Sequence, residues 1–165
     1  MCDLLNEKVN IPGVEVFLRP VKEYRFLLVI RGEGLSANIQ ETDPQVVGKK
    51  SLVAKALDQE SEKAAQLVQE FVRQAEEILA DEHPANMFLL RGFAKLPDWP
   101  TFPELFGLKA AAIAMYPMYR GVAKLVGMHS LPAAKSYDEE IDMLEAHWMD
   151  YDFFFVHIKK TDSYG

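Results

Sequence analysis

The stretch Lys109-Ala-Ala-Ala-Ile-Ala-Met-Tyr-Pro117 decides the fold. Its run of small and branched apolar residues, Lys109 to Met115, has no polar alternation. A strand with that pattern is buried on both faces, as in a sheet covered by helices on each side. Pro117 stands where proline opens a helix, and Gly127 where glycine closes one, so a helix is expected from Pro117 through Leu125. Downstream, Tyr137 to Met149 reads as an amphipathic helix. It is acidic at its start, where the helix dipole favours negative charge. Asp152-Phe-Phe-Phe-Val-His-Ile158 reads as the next strand.

Upstream, the strongest periodicity lies between Glu62 and Leu79. Ala64, Leu67, Val68, Phe71, Val72, Ala75, Ile78 and Leu79 recur at three- and four-residue steps, with charged residues opposite them. Helical character is expected from about Ser51, ending before Pro84. Val14 to Arg19 alternates as a strand. Tyr24 to Arg31 reads as a second, and the two are expected to form an antiparallel hairpin. Met87 to Arg91, ended by Gly92, reads as a further strand. Asp3 to Glu7 reads as the tail of a helix begun elsewhere. Together these predict an α/β fold: a mixed, mainly parallel sheet of about five strands with helices on both faces.

Composition narrows the classes. The chain has 165 residues, 49% hydrophobic and 26% charged, which fits a globular domain with a real core. A formal charge of −7 argues against a nucleic-acid or anionic-membrane partner. The one cysteine, Cys2, forms no internal disulfide and builds no cysteine zinc site. No apolar run reaches the roughly 20 residues of a membrane span, and the start lacks a signal-peptide pattern, so the expected location is the cytoplasm.

Chemistry-bearing residues are sparse. In α/β sheets ligands gather beyond the carboxyl ends of strands. Arg31, Arg91 and the segment from Lys159 to Gly165 stand there. Arg25, Arg31, Arg91 and Arg120 are candidates for an anion pocket, because guanidinium suits carboxylate and phosphate; surface ion pairs are the commoner meaning of such residues. His157 reads as a core or interface histidine, as do Tyr116 and Tyr119. His83, His129 and His147 lack metal-ligand spacing. Asp162 is one carboxylate suited to a hard cation. There is no nucleophile elbow, P-loop or dinucleotide fingerprint.

Six strings in order go further: Tyr24-Arg-Phe-Leu-Leu-Val-Ile-Arg-Gly-Glu-Gly-Leu-Ser36, Glu41-Thr-Asp-Pro44, Ala85-Asn-Met-Phe-Leu-Leu-Arg-Gly92, Gly107-Leu-Lys-Ala-Ala-Ala-Ile-Ala114, Gly121-Val-Ala-Lys-Leu-Val-Gly-Met128 and Tyr151-Asp-Phe-Phe-Phe-Val-His-Ile-Lys-Lys-Thr-Asp162. Together they resemble the archaeal-type, 2,3-bisphosphoglycerate-independent phosphoglycerate mutases of the alkaline phosphatase superfamily. The resemblance implies an enzyme interconverting 2-phosphoglycerate and 3-phosphoglycerate in glycolysis. It implies a phosphorylated serine and two divalent cations, manganese or magnesium, on a phosphatase-like core. It further implies an inserted domain that helps hold the substrate.

On that comparison residues 1–150 are expected to be the insert, and residues 151–165 a strand returning to the core, broken off within a functional segment. The nucleophilic serine and the other metal ligands are expected elsewhere, so the chain alone is expected to be inactive, with no tightly bound metal. Arg25, Arg31, Asp43, Asn86, Arg91 and Lys159 match positions expected to contact substrate, and Asp162 matches a metal ligand. Tyr24 stands where many relatives have histidine. Two other readings stay open on sequence alone: a stand-alone module binding a small anionic metabolite, and the insert of a related phosphate or phosphonate esterase.

Overall fold

The computed structural model describes residues 1–21, 24–159 and 161. The chain divides into two units, Met1–Lys95 and Leu96–Gly165. The α/β class holds. The expected strands, however, belong to two sheets, one two-stranded and antiparallel, the other three-stranded.

The first unit begins with helix α1 (Cys2–Lys8), followed by strands β1 (Glu15–Pro20) and β2 (Phe26–Arg31). The strands form the expected hairpin, in a register that sets Leu18 opposite Leu28. Phe26, Leu28 and Ile30 turn inward and Leu27 outward, the period of two that a half-buried sheet requires. Among the described residues, the hairpin gains no third strand on the β1 side at Leu18. There the Leu18 N–H donates to Asn6 Oδ1 at 2.7 Å, and Asn6 Nδ2 donates to the Leu18 carbonyl at 3.0 Å. One amide side chain from α1 thus stands in for a neighbouring strand.

Helix α2 (Glu62–Leu79) follows a short 3-10 turn, Gln59–Ser61. Asp58 caps that turn by accepting from the Ser61 N–H at 2.8 Å. The helix therefore starts about ten residues later than the sequence suggests; residues 51–58 are not helical. Its inward face, with Ala64, Val68, Phe71, Ala75 and Leu79 all buried, packs with Leu5, Leu18, Ile39 and Leu90. The stretch Met87–Arg91 is not a ladder strand. Leu90 is tied instead to buried Thr42: the Leu90 N–H donates to Thr42 Oγ1 at 2.7 Å, and the Thr42 N–H donates to the Leu90 carbonyl at 3.0 Å.

The second unit contains α3 (Phe102–Phe106), β3 (Ala110–Ala114), α4 (Pro117–Leu125), β4 (His129–Ser130), α5 (Tyr137–Ala146) and β5 (Phe153–His157). Strand β3 is central, parallel to β4 on one side and to β5 on the other. All five of its residues are buried, as its apolar run predicts. The order β4-β3-β5 means that the connection through α4 runs one way along the sheet and the one through α5 runs back. Right-handed crossovers then place the two helices on opposite faces. Packing agrees. Ala111, Ile113, Phe154 and Val156 meet Met143 and Leu144 of α5, while His157 stacks on Tyr119 of α4. No helix among the described residues is long and apolar enough to cross a membrane.

Candidate functional site

In the first unit the candidate residues do not converge. Arg25 and Arg31 bracket β2, six residues apart. At about 3.3 Å per residue they are separated by roughly 20 Å, too far for one small anion to reach both. Arg31 lies 3.9 Å from Glu15 and over the Phe17 ring. Arg25 lies over the exposed Tyr24 ring. Asn86 is half-buried in the loop before Met87.

Arg91 and Asp43 are brought together, as Thr42 stitches their two segments side by side. The Arg91 guanidinium lies 3.4 Å from Asp43 and 3.6 Å from Glu41. Glu41 also accepts from the Gly92 N–H at 2.9 Å. One guanidinium faces two carboxylates, so the local charge is negative. An incoming phosphate has to displace these partners, and Arg91 in this arrangement is not a preformed anion cradle. A cavity of about 380 Å³ opens beside it, between β2 and residues 89–95. Phe26, Leu28, Ile30, Leu35 and Val68 are among its walls. Arg91 and Lys95 line it as well, so its walls are apolar with two cationic side chains among them.

In the second unit the sheet reverses direction at β3. Just outside the carboxyl ends of β3 and β5 is therefore the switch point, where open α/β sheets bind ligands. The side chains in mutual contact there are Tyr116, Tyr119, His157 and Lys159. The Tyr119 and His157 rings stack at 3.5 Å between centroids and 22° between planes. Tyr116 lies 6.0 Å from Tyr119, and Lys159 Nζ sits 5.5 Å from the Tyr116 ring centroid. Glu140, on the first turn of α5, is completely buried. Burial pushes its carboxyl above the usual range; the Met115 backbone and the charge of His157 act in the opposite direction.

Among the described residues, the buried side-chain polar atoms lacking a hydrogen-bond partner are Arg120 Nη1, Ser130 Oγ, both Glu140 carboxyl oxygens and His157 Nδ1. All belong to the second unit. Native interiors pair most such atoms. Of these residues, Arg120 is a candidate on sequence, His157 reads there as packing, and Ser130 and Glu140 carry no local signal. The one available signal was the position of His157 at a strand end.

Asp162, the expected metal ligand, lies outside the described residues. Among those described, no group of three or more His, Cys, Asp or Glu side chains is placed to hold a metal ion. The described residues thus do not build the two-cation site that the resemblance implies.

Comparison with known proteins bears on what this arrangement serves. A family model described as 2,3-bisphosphoglycerate-independent phosphoglycerate mutase matches residues 1–86, just over half of the chain. The chain belongs to this family. A probable 2,3-bisphosphoglycerate-independent phosphoglycerate mutase of Thermotoga maritima is 47% identical over 163 residues, covering 98% of this chain and 41% of the relative. The one from Aquifex aeolicus is 49% identical over 161 residues, covering 94% of this chain and 40% of the relative. The chain thus spans about two fifths of the length of these mutase relatives. Among solved structures, the cofactor-independent phosphoglycerate mutase of Thermoplasma acidophilum superposes with a TM-score of 0.73 at 23% identity, over 95% of this chain and 46% of that one. A Pyrococcus horikoshii protein superposes with a TM-score of 0.61 at 20% identity. Those two likenesses speak to fold.

Proposed function

We propose that this chain is the substrate-holding portion of a phosphoglycerate mutase that interconverts 2-phosphoglycerate and 3-phosphoglycerate in the cytoplasm, as a step of glycolysis. The observation that carries the reading is the near full-length alignment of this chain, at 47–49% identity, with mutases more than twice its length. In this reading the nucleophilic serine and most metal ligands belong to the remaining polypeptide, a core of the alkaline phosphatase type. Two divalent cations there supply charge stabilisation for the transferring phosphoryl group.

The ladders favour a different boundary from the one that the resemblance implies. Sequence comparison puts the break at residue 150, yet β5 is paired with β3 along five residues. A segment so bound is not separable from residues 96–150. We therefore assign residues 1–95 to the insert and residues 96–165 to the side of the phosphatase-like core. The two-fold covering of β3 and the switch point beside Lys159 support this division. Arg91, released from Asp43 and Glu41, is the strongest substrate contact of the insert; Arg25, Arg31 and Asn86 are weaker candidates. Lys159 leads into the segment that carries Asp162.

The test is to assay the whole protein containing this chain with 3-phosphoglycerate and manganese, without added 2,3-bisphosphoglycerate, alongside the 165-residue chain alone. Turnover by the former and none by the latter is expected. Phosphate release without 2-phosphoglycerate would instead favour a related esterase, and turnover by the chain alone would overturn the assignment of the serine to another part.

A further inference from the structure

We propose that the cavity beside Arg91 is the slot for one more β-strand, an extended segment of the remaining mutase polypeptide. That segment pairs with the outer edge of β2 on one side and with residues 87–91 on the other. The proposal rests on reading this chain as a portion of a longer mutase, and names the surface on which the rest of the polypeptide docks.

The two walls of the cavity are open strand edges. Directly opposed residues of an antiparallel pair alternate between exchanging both hydrogen bonds and exchanging none. The Leu18 N–H donates to Asn6 and the Leu18 carbonyl accepts from it, so the pair Leu18–Leu28 is of the second kind. The N–H and C=O of Leu28 therefore point away from β1, as do those of Phe26 and Ile30, two residues to either side. Among the described residues β2 has no ladder partner there. Across the cavity, Leu90 directs both of its backbone groups at Thr42. Phe88 and Leu90 turn inward while Met87 and Leu89 are exposed, the alternation of an extended strand. The backbone groups of Leu89 and Arg91 therefore face away from Thr42. The cavity of about 380 Å³ is lined by unbroken runs of both segments, residues 26–30 and 89–93. A pocket on one face of a sheet meets every second residue; this one meets edges.

The occupant follows from what those edges need. Open backbone donors and acceptors are a template for an added strand. A small molecule fills volume, whereas a peptide backbone satisfies both rows of amides and carbonyls at once. Phe26, Leu28 and Phe88 flank the inner side of the slot, so the segment is apolar at alternate positions. Mutases of this family are more than twice as long as this chain, which gives the segment its source. The pairing also accounts for residues 87–91, which have the composition of a strand and no ladder: their partner lies in the rest of the polypeptide.

The test is hydrogen exchange on the whole protein containing this chain, read amide by amide by mass spectrometry. The amides of Leu28, Ile30, Leu89 and Arg91 should exchange at least roughly a hundredfold more slowly than unprotected ones. That protection should be the same at low and high protein concentration, and with or without 3-phosphoglycerate. Unprotected exchange at these amides would overturn the proposal. Protection confined to high concentration would assign the slot to a second copy, and protection confined to added 3-phosphoglycerate would assign it to a small ligand; either result overturns it too. As a second measurement, a benzophenone side chain placed at exposed Leu89 should photo-crosslink to a residue of the same polypeptide outside this 165-residue stretch. Crosslinks confined to residues 1–95 would count against the slot. Turnover with unprotected edges sinks this idea alone, and protected edges without turnover sink the proposed activity alone.

Discussion

Thr42 shows how much one side chain can organise. Its hydroxyl accepts from Leu90 while its backbone donates to the same residue, and the Leu52 N–H donates to its carbonyl. Through these bonds the segments carrying Asp43 and Arg91 lie side by side. Thr42→Val keeps the shape and strips the Leu90 N–H of its acceptor in a buried place. A loss of about 1–3 kcal/mol is expected from chemical denaturation, together with a change in the NMR signals of Gly92. Glu70 makes a second, pH-dependent case. Hydrogen bonds from Arg73 and Gln74 hold its carboxyl down to about 2. A group depressed in the folded state stabilises above its unfolded value, and that stabilisation is lost as pH falls through the folded one. Between about pH 4.5 and 2 the unfolding midpoint should fall less steeply in Glu70→Gln than in the wild type; equal slopes would count against the pairing. Single residues were also where sequence reading reached its limit. The Asp43–Arg91 contact was legible as two residues of one expected site. Glu140 was not, because the run Asp138-Glu-Glu140 reads as acidic residues favoured at a helix start, and nothing local says that the third of them is buried.

Elements were legible wherever their signal was local. The 3.6-residue stripe of α2, the apolar run of β3 and the Pro117–Gly127 bracket around α4 all depend on near neighbours. Pairing is different. Met87–Arg91 has the composition of a strand, yet its partner is a threonine side chain, and β4, two residues long, has no periodicity to detect. Assigning five strands to one sheet failed for the same reason: alternation tells which residues are extended, while a ladder partner depends on distant sequence. Two substitutions test the element-level account. Ala112 is completely buried in β3, and Ala112→Leu should cost about 1–3 kcal/mol by overpacking, read as a lower denaturation midpoint. Gly127 closes the turn after α4 at φ +74°, and a Cβ there would lie 2.6 Å from the Thr101 Cβ. Gly127→Ala combines a left-handed conformation, costing about 1–2 kcal/mol, with that clash. Thr101 caps α3 by accepting from the Glu104 N–H at 3.4 Å, and loss of that cap is expected in amide exchange.

At the scale of the molecule, each unit has its own hydrophobic cluster, one built around Phe71 and the other around Ile113. Unfolding should therefore proceed in two steps, since separate cores need not melt together. Both tryptophans, Trp99 and Trp148, lie in the second unit, so their fluorescence follows that unit alone. Phe71→Ala should destabilise the first unit by about 3–5 kcal/mol, shifting one of two steps in the helical circular-dichroism curve, to which both units contribute, while leaving the tryptophan transition in place. One coincident transition, shifted for both probes, would refute this independence. The order β4-β3-β5 has a practical consequence as well. Among the described residues β5 has a neighbour on one side only, and its sequence is Phe-Phe-Phe-Val-His. A strand edge so rich in aromatic residues is a template on which other copies can stack. A purified preparation of the 165-residue chain should scatter light increasingly with concentration and time. Phe153→Lys, at the start of that edge, should lessen the scattering, at the loss of the ring contact with Phe102.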